Sequence, residues 1–257
     1  MIRVLVLLFL ISCDFSPRLH RDILNAQDLI NEQKYLKAAN LYQKILKGLP
    51  GGQVKIKVLY QLGDLNSIHL ERYKKAIYFY EKIVESSEES IWVFKSQERI
   101  GELYFSYLEN YKKAVFYYKS LVNIVPKLQE FDFYEFRLGK AYLEMEDFSS
   151  ALKIFNRIKI NPLHKYFVSS YYHIGITYFK DEKWQNAVDI WREYIKREKR
   201  KDRIVQAKFL MANAYETMEN LSQAYAIYYS IQGEYPNTKV IQNRLNSVYL
   251  RKVAKKR

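Results

Sequence analysis

Leu138-Gly139-Lys140-Ala141-Tyr142, then Ala151-Leu152-Lys153-Ile154-Phe155, then Pro162 is the stretch that decides the fold. Gly139 and Tyr142 are three residues apart, and Ala151 and Phe155 are four apart. Both are helical spacings, so each pair shares one helix face. A glycine on one face and an alanine on the next helix mark places where two helices must approach closely. The proline marks where the second helix stops. The same order returns in Ile174-Gly175-Ile176-Thr177-Tyr178, followed by Ala187 and Trp191.

Working outward, the pattern runs through most of the chain. Ala38, Ala76, Ala114, Ala151, Ala187 and Ala224 lie 38, 38, 37, 36 and 37 residues apart. Four residues after each stands an aromatic: Tyr42, Tyr80, Tyr118, Phe155, Trp191 and Tyr228. Aromatics make up only 16% of the chain, so composition does not explain six in six. Twelve or thirteen residues before each alanine is a third column, Ala26, Gly63, Gly101, Gly139, Gly175 and Ala212. This geometry predicts that the alanine is the matching close contact for the small residue, with the aromatics filling the gap to the next repeat. A self-similar period of this length means stacked helical repeats. Scarce breakers agree, with 8 Gly and 5 Pro in 257 residues, too few for the turns of a β-sandwich.

These residues resemble tetratricopeptide repeats, whose usual period is about 34. The resemblance implies an all-α fold, a right-handed tetratricopeptide-repeat superhelical solenoid of about six helix pairs over residues 20–237. It implies a role in binding other proteins. The longer period here predicts longer turns. Residues 238–257 are expected to form a basic C-terminal capping helix. Val240, Ile241, Leu245, Val248 and Leu250 would cover the last repeat, while Arg251, Lys252, Lys255, Lys256 and Arg257 face water.

The chain opens with Arg3, the apolar run Val4 to Ile11, and Leu10-Ile11-Ser12-Cys13. Eight apolar residues cannot span a bilayer, which needs about 20, but they suit the core of a secretory signal. The end of the run resembles a bacterial lipobox. That resemblance implies a signal peptide at residues 1–12, cleavage after Ser12 and a lipid on Cys13, the single cysteine. Residues 13–19 would be the lipidated cysteine and a short tether. The expected location is the cell envelope, with the periplasmic face of the outer membrane favoured. Asp14 resembles an inner-membrane retention signal of enteric bacteria, so which membrane stays open. Lipobox, short tether, repeats and basic C-terminal helix together resemble in layout the BamD-type lipoproteins of outer-membrane assembly. The layout implies a scaffold subunit of an envelope assembly complex. An adaptor for peptidoglycan-processing enzymes and a pilotin-like chaperone are alternatives with the same architecture.

No nucleophile elbow, phosphate loop, paired His/Glu motif or metal cluster is present in the sequence. We therefore expect no enzyme activity, no cofactor, no metal and no small-molecule substrate. His164 and His173 read as structural, and Trp184 and Trp191 fall on the packing columns. The formal net charge is +14. In an exported protein this points to acidic partners or lipid headgroups and not to nucleic acid. The densest basic run comprises Lys196, Arg197, Lys199, Arg200, Lys201 and Arg203, with Glu198 and Asp202 between them. It reads either as a solvated helix end or as a docking patch. The phase of the small-residue column also predicts a concave groove, lined by first-helix side chains three before, one after and four after each small residue. Tyr60, Phe105, Phe136, Lys140, Tyr172, Ile176, Phe179, Phe209 and Asn213 are its candidate contacts for partner envelope proteins.

Overall fold

In the computed structural model, residues 16–86 and 91–255 are described. Cys13 and the lipobox lie outside them. The described residues form thirteen α-helices and no strand. They are α1 (Ser16–Asn31), α2 (Tyr35–Gly48), α3 (Gln53–Asp64), α4 (Tyr73–Val84), α5 (Ile91–Ser106), α6 (Tyr111–Val122), α7 (Phe131–Glu144), α8 (Phe148–Lys159), α9 (Phe167–Lys180), α10 (Trp184–Arg197), α11 (Lys201–Thr217), α12 (Leu221–Ser230) and α13 (Thr238–Ala254). The all-α expectation of six helix pairs and a final helix holds. Two units divide at Leu103 and Tyr104. In the first, α1 packs on α2, α2 on α3 and α3 on α4; in the second, α6 packs on α7 and each later helix on the next. Of the tether expected at residues 13–19, residues 16–19 belong to α1, and residues 13–15 lie outside the described residues. Pro17 is tolerated there, since first-turn N–H groups have no partner within a helix.

The repeated columns are core. All six alanines are fully buried, and the six aromatics that follow them are at most 2% exposed. The close contact differs from the expected one. A Cβ on Gly63 would lie 2.3 Å from the Tyr80 ring, one on Gly139 would lie 2.7 Å from Phe155, and one on Gly175 would lie 2.2 Å from Trp191. The aromatic therefore covers the small residue of its own pair, rather than filling the gap to the next repeat. The Trp191 indole N–H also donates to the Tyr172 carbonyl, 3.1 Å away.

Each pair turns through one residue in the left-handed region. These are Gln33, Glu71, Glu109, Glu146, Glu182 and Glu219, with φ between 48° and 59°. Each stands five residues before the column alanine. Left-handed backbone costs a residue with a Cβ about 1–2 kcal/mol, and glycine is the usual solution. Here five glutamates and one glutamine are used, with their side chains exposed. The next residue starts the second helix, and Asn110 and Asp147 cap it by accepting the N–H groups of Lys113 and Ser150.

Repeats two and three carry thirteen residues between columns instead of twelve, and the extra residue is absorbed in the helix end. Elsewhere the N–H after the left-handed residue bonds five residues back, as in Asp147 to the Tyr142 carbonyl. In repeat two a π-helical turn, Leu65–His69, widens the helix, and the Arg72 N–H reaches six residues back to Asn66. In repeat three the Asn110 N–H bonds the Tyr104 carbonyl, also six back. A π-turn accommodates one added residue without shifting the helix beyond it, so Ala76 and Ala114 keep their buried places.

The link from α10 to α11 is pinned by Glu198, whose side chain is 10% exposed. Burial alone would raise its carboxyl. The Arg200 N–H and guanidinium, the Tyr194 hydroxyl and the Lys199 N–H outweigh that and hold it down to about 2. At the chain's end, Ile241, Leu245 and Val248 of α13 cover the last repeat as expected. Leu250 does not, being 67% exposed. Arg251 is also reassigned: it pairs with Glu216 at 2.8 Å and with Glu219.

These contacts set two tests. Gly175→Ala should destabilise by about 1–3 kcal/mol, because Trp191 must move. Gly48→Ala, with nothing within 4 Å of the added carbon, should instead stabilise by about 0.5 kcal/mol. Equal melting shifts for the two would mean that the ring does not seat on Gly175. For Glu198, the folded carboxyl at about 2 lies below its ordinary 4.5. Its contribution is thus complete above about pH 4.5 and lost as pH falls towards 2. Denaturant midpoints of Glu198→Gln and of the unaltered chain should differ at pH 7 and converge over that acid window.

Candidate functional site

The three candidate positions on the first helix of each pair, three before, one after and four after the small residue, border the ring that covers it, as Phe136 borders Phe155 at 5.9 Å and Phe179 borders Trp191 at 5.9 Å. Their chemistry depends on the ring. Where the ring is tyrosine, its hydroxyl passes the small residue and must find an acceptor. The Tyr80 hydroxyl donates to Asp64 at 2.6 Å and lies 3.4 Å from Ser67. The Tyr228 hydroxyl donates to Glu216 at 3.0 Å and contacts the Asn213 carboxamide. Burial first, then the adjoining carboxylate, pushes both phenols far above their ordinary range. These tyrosines are therefore fixed hydrogen-bond donors. In repeats four and five the ring is Phe155 or Trp191, neither with a hydroxyl at this face. The position after the small residue is then Lys140 or Ile176, and no acceptor is required.

The nine candidate groove residues sort accordingly. Tyr60 belongs to the first unit and the other eight to the second. The column three before the small residue is mostly a packing column. Tyr60 meets Trp92 edge to face at 5.1 Å and accepts a hydrogen bond from Arg99 at 3.3 Å. Phe136 is 9% exposed and stacks on Tyr166 at 4.3 Å, so it is no open contact. Phe209 stacks on Tyr235 at 4.5 Å, and Tyr172 packs against Tyr194 at 5.4 Å. Asn213 is engaged by Tyr228. Phe105, Lys140, Ile176 and Phe179 remain half-exposed. Lys140 Nζ lies 5.3 Å from the centre of the Phe105 ring, and Phe179 leans on Trp191 at 5.9 Å. Beside them Lys180 pairs with Glu144 at 3.4 Å, a contact between neighbouring first helices that the columns did not indicate.

The partners that fill the packing column, Trp92, Tyr166 and Tyr235, were not legible in sequence. They follow Gly63, Gly139 and Ala212 at 29, 27 and 23 residues. The connections differ in length, so no fixed offset marks them.

The basic run is largely compensated. Lys196 and Arg197 pair with Glu193 at 2.7 Å, Arg200 with Glu198 at 3.4 Å, Lys201 with Glu234 at 2.9 Å and Arg203 with Asp202 at 3.8 Å. Such exposed pairs add little stability, but they remove the uniform positive field a docking patch needs. Its solvated reading is the better one. His164 is buried, with Nδ1 accepting the Tyr166 N–H and Nε2 3.3 Å from Glu135. His173 donates from Nδ1 to the Ser169 carbonyl, and its desolvation among Phe136, Phe155 and Tyr172 holds it down to about 4. Among the described residues no group of three or more His, Cys, Asp or Glu is placed to hold a metal ion. No helix there is long and apolar enough to cross a membrane.

Similarity to known proteins accords with this geometry. Residues 56–90 and 135–162 each match a tetratricopeptide-repeat family, and residues 173–255 match a domain of unknown function, DUF6340. No curated protein matches the chain. Among solved structures, a tetratricopeptide repeat protein from Parabacteroides merdae ATCC 43184 is 16% identical, with a TM-score of 0.64 over 93% of this chain and 88% of that one. PilW, a widely conserved type IV pilus biogenesis factor, is 15% identical, with a TM-score of 0.55 over 91% of this chain and 99% of that one. PilF of Pseudomonas aeruginosa is 14% identical, with a TM-score of 0.54 over 88% and 95%. At such identities the likeness is one of fold, and together with the matched segments it makes the chain an array of tetratricopeptide repeats.

Proposed function

We propose that the chain is a protein-binding scaffold, held on a bacterial membrane by lipid at Cys13 and serving an envelope assembly complex. One observation carries the binding reading. Lys140, Ile176 and Phe179 stand half-exposed on consecutive first helices, at positions that in repeats two and six answer buried tyrosine hydroxyls. An apolar pair beside a lysine, on rigid helices, suits a partner segment with one apolar face and an acidic group. The membrane part rests on the lipobox-like Leu10-Ile11-Ser12-Cys13, and the outer-membrane assembly pathway rests on layout. The similarity to PilW and PilF favours a second reading, a pilotin-like chaperone of pilus or secretin subunits.

Co-purification from crosslinked, detergent-solubilised membranes tests the binding reading. Ile176→Asp should lose the principal partner, a loss of about 2 kcal/mol or more for a central interface contact, measured well below its melting temperature, which falls because Ile176 also packs against the core. Retention of the partner by Ile176→Asp and by Phe179→Ala would overturn this face. The identity of the partner separates barrel-assembly proteins from pilus proteins. Cys13→Ala should move the protein to the soluble fraction, and persistence in the membrane pellet after a high-salt wash would overturn the anchor.

A further inference from the structure

Three clefts occupy one recurrent place, beside the end of a second helix and the first helix that comes after it. The cleft of α2, α3 and α4 carries Lys55 and Lys82 beside Leu46, Ile56 and Tyr78. That of α6, α7 and α8 carries Lys127, Arg157, Asp132 and Glu135. The cleft of α12 and α13, about 340 Å³, differs from both. No charged residue lines it. Its walls are three tyrosines, Tyr225, Tyr229 and Tyr249, and three carboxamides, Gln232, Gln242 and Asn246, over the buried Leu245.

We infer that this terminal cleft is a binding site for an uncharged saccharide chain. Tyr225 is anchored in the core, whereas Tyr229 is 65% and Tyr249 55% exposed. Tyr225 and Tyr229 lie near-parallel, 10° apart in plane with centroids at 6.4 Å, and Tyr249 stands at 6.4 Å from Tyr225. The exposed rings of Tyr229 and Tyr249 suit the C–H face of a sugar, which is apolar and weakly positive against the negative ring face. The carboxamides form a chain: the Gln232 amide donates to Gln242 at 3.0 Å, and the Gln242 amide donates to Asn246 at 3.2 Å. The chain ends in an acceptor, Gln232 Oε1, and a donor, Asn246 Nδ2. Sugar hydroxyls both donate and accept, so they match both ends.

Other ligands fit less well. An anion would need cations in the wall. Lys252 is not among the lining residues, and its Nζ lies 6.0 Å from the centre of the Tyr225 ring. A peptide anchor needs a desolvated apolar pocket, and this floor offers only Leu245. The size is at the lower end of ordinary ligand pockets, roughly 300–1,000 Å³, enough for a short stretch of a glycan. The chain's net charge of +14 makes an uncharged cleft with this lining all the more distinct.

The test is calorimetric titration of the full mature chain with chitohexaose, cellohexaose and maltohexaose, at concentrations up to about 1 mM. We expect one or more of them to bind, and the one preferred tells an N-acetylhexosamine polymer from a hexose polymer. Binding should persist at high salt, because no charge is involved. Tyr229→Ala and Tyr249→Ala should each weaken it at least about tenfold. Asn246→Ala should weaken it as well, and the melting temperatures of all three should hold, since the changed groups are exposed. No binding of any of the three sugars overturns the inference, and so does binding indifferent to both tyrosine changes. Concentration-dependent self-association that the same changes abolish, without sugar binding, would assign the cleft to a second copy of the chain.

Discussion

The seating of one aromatic ring on one small residue within each helix pair is the contact on which the rest depends. A Cβ on Gly175 would overlap the Trp191 indole by more than an ångström relative to ordinary contact. The two helices are therefore as close as a ring thickness allows. That separation fixes the rotation of the first helix, and the rotation fixes which side chains face outward. Three different rings, tyrosine, phenylalanine and tryptophan, occupy the seat at near-zero exposure. Its demand is for a flat apolar body, with polar groups accommodated afterwards.

The polar consequences divide the face by repeat. Tyrosine brings a hydroxyl that must be satisfied, and Asp64 and Asn213 with Glu216 answer it. Leaving such a donor unpaired inside a helix stack costs about 1–3 kcal/mol, so these positions are not free to evolve into contacts. Phenylalanine and tryptophan release the same positions, and Lys140 and Ile176 take them. The C-terminal end is shaped by a different constraint. Arg251 of α13 is held by Glu216 and Glu219, so the same carboxylate that satisfies Tyr228 also fixes the final helix.

Much of the fold was legible because period and packing are one fact here: a residue that must be small, and a ring that must cover it, recur at helical offsets. The nine-residue face was legible only in part. Phe136 and Phe209 turned out to be covered by Tyr166 and Tyr235. Those aromatics arrive from connections of unequal length. The left-handed turns went unseen because glutamate, not glycine, occupies five of the six. The basic run stayed open between two readings for a related reason. Glu193 precedes it in α10 and Glu234 lies beyond α12, so a local count of charge omitted two of its partners.

Local sequence by itself determined the helix pairs, the buried columns and the twelve-against-thirteen spacing that produces the π-turn. These depend on offsets of three, four and about thirty-seven residues, and helical geometry converts each directly into a face. Only the tertiary structure decided that the ring, not the alanine, covers the glycine, that the run from Lys196 to Arg203 is compensated, and that three tyrosines and three carboxamides meet beside α13. Each of these joins side chains from different helices. Their meeting depends on the length and path of the connections between them, which side-chain periodicity does not encode.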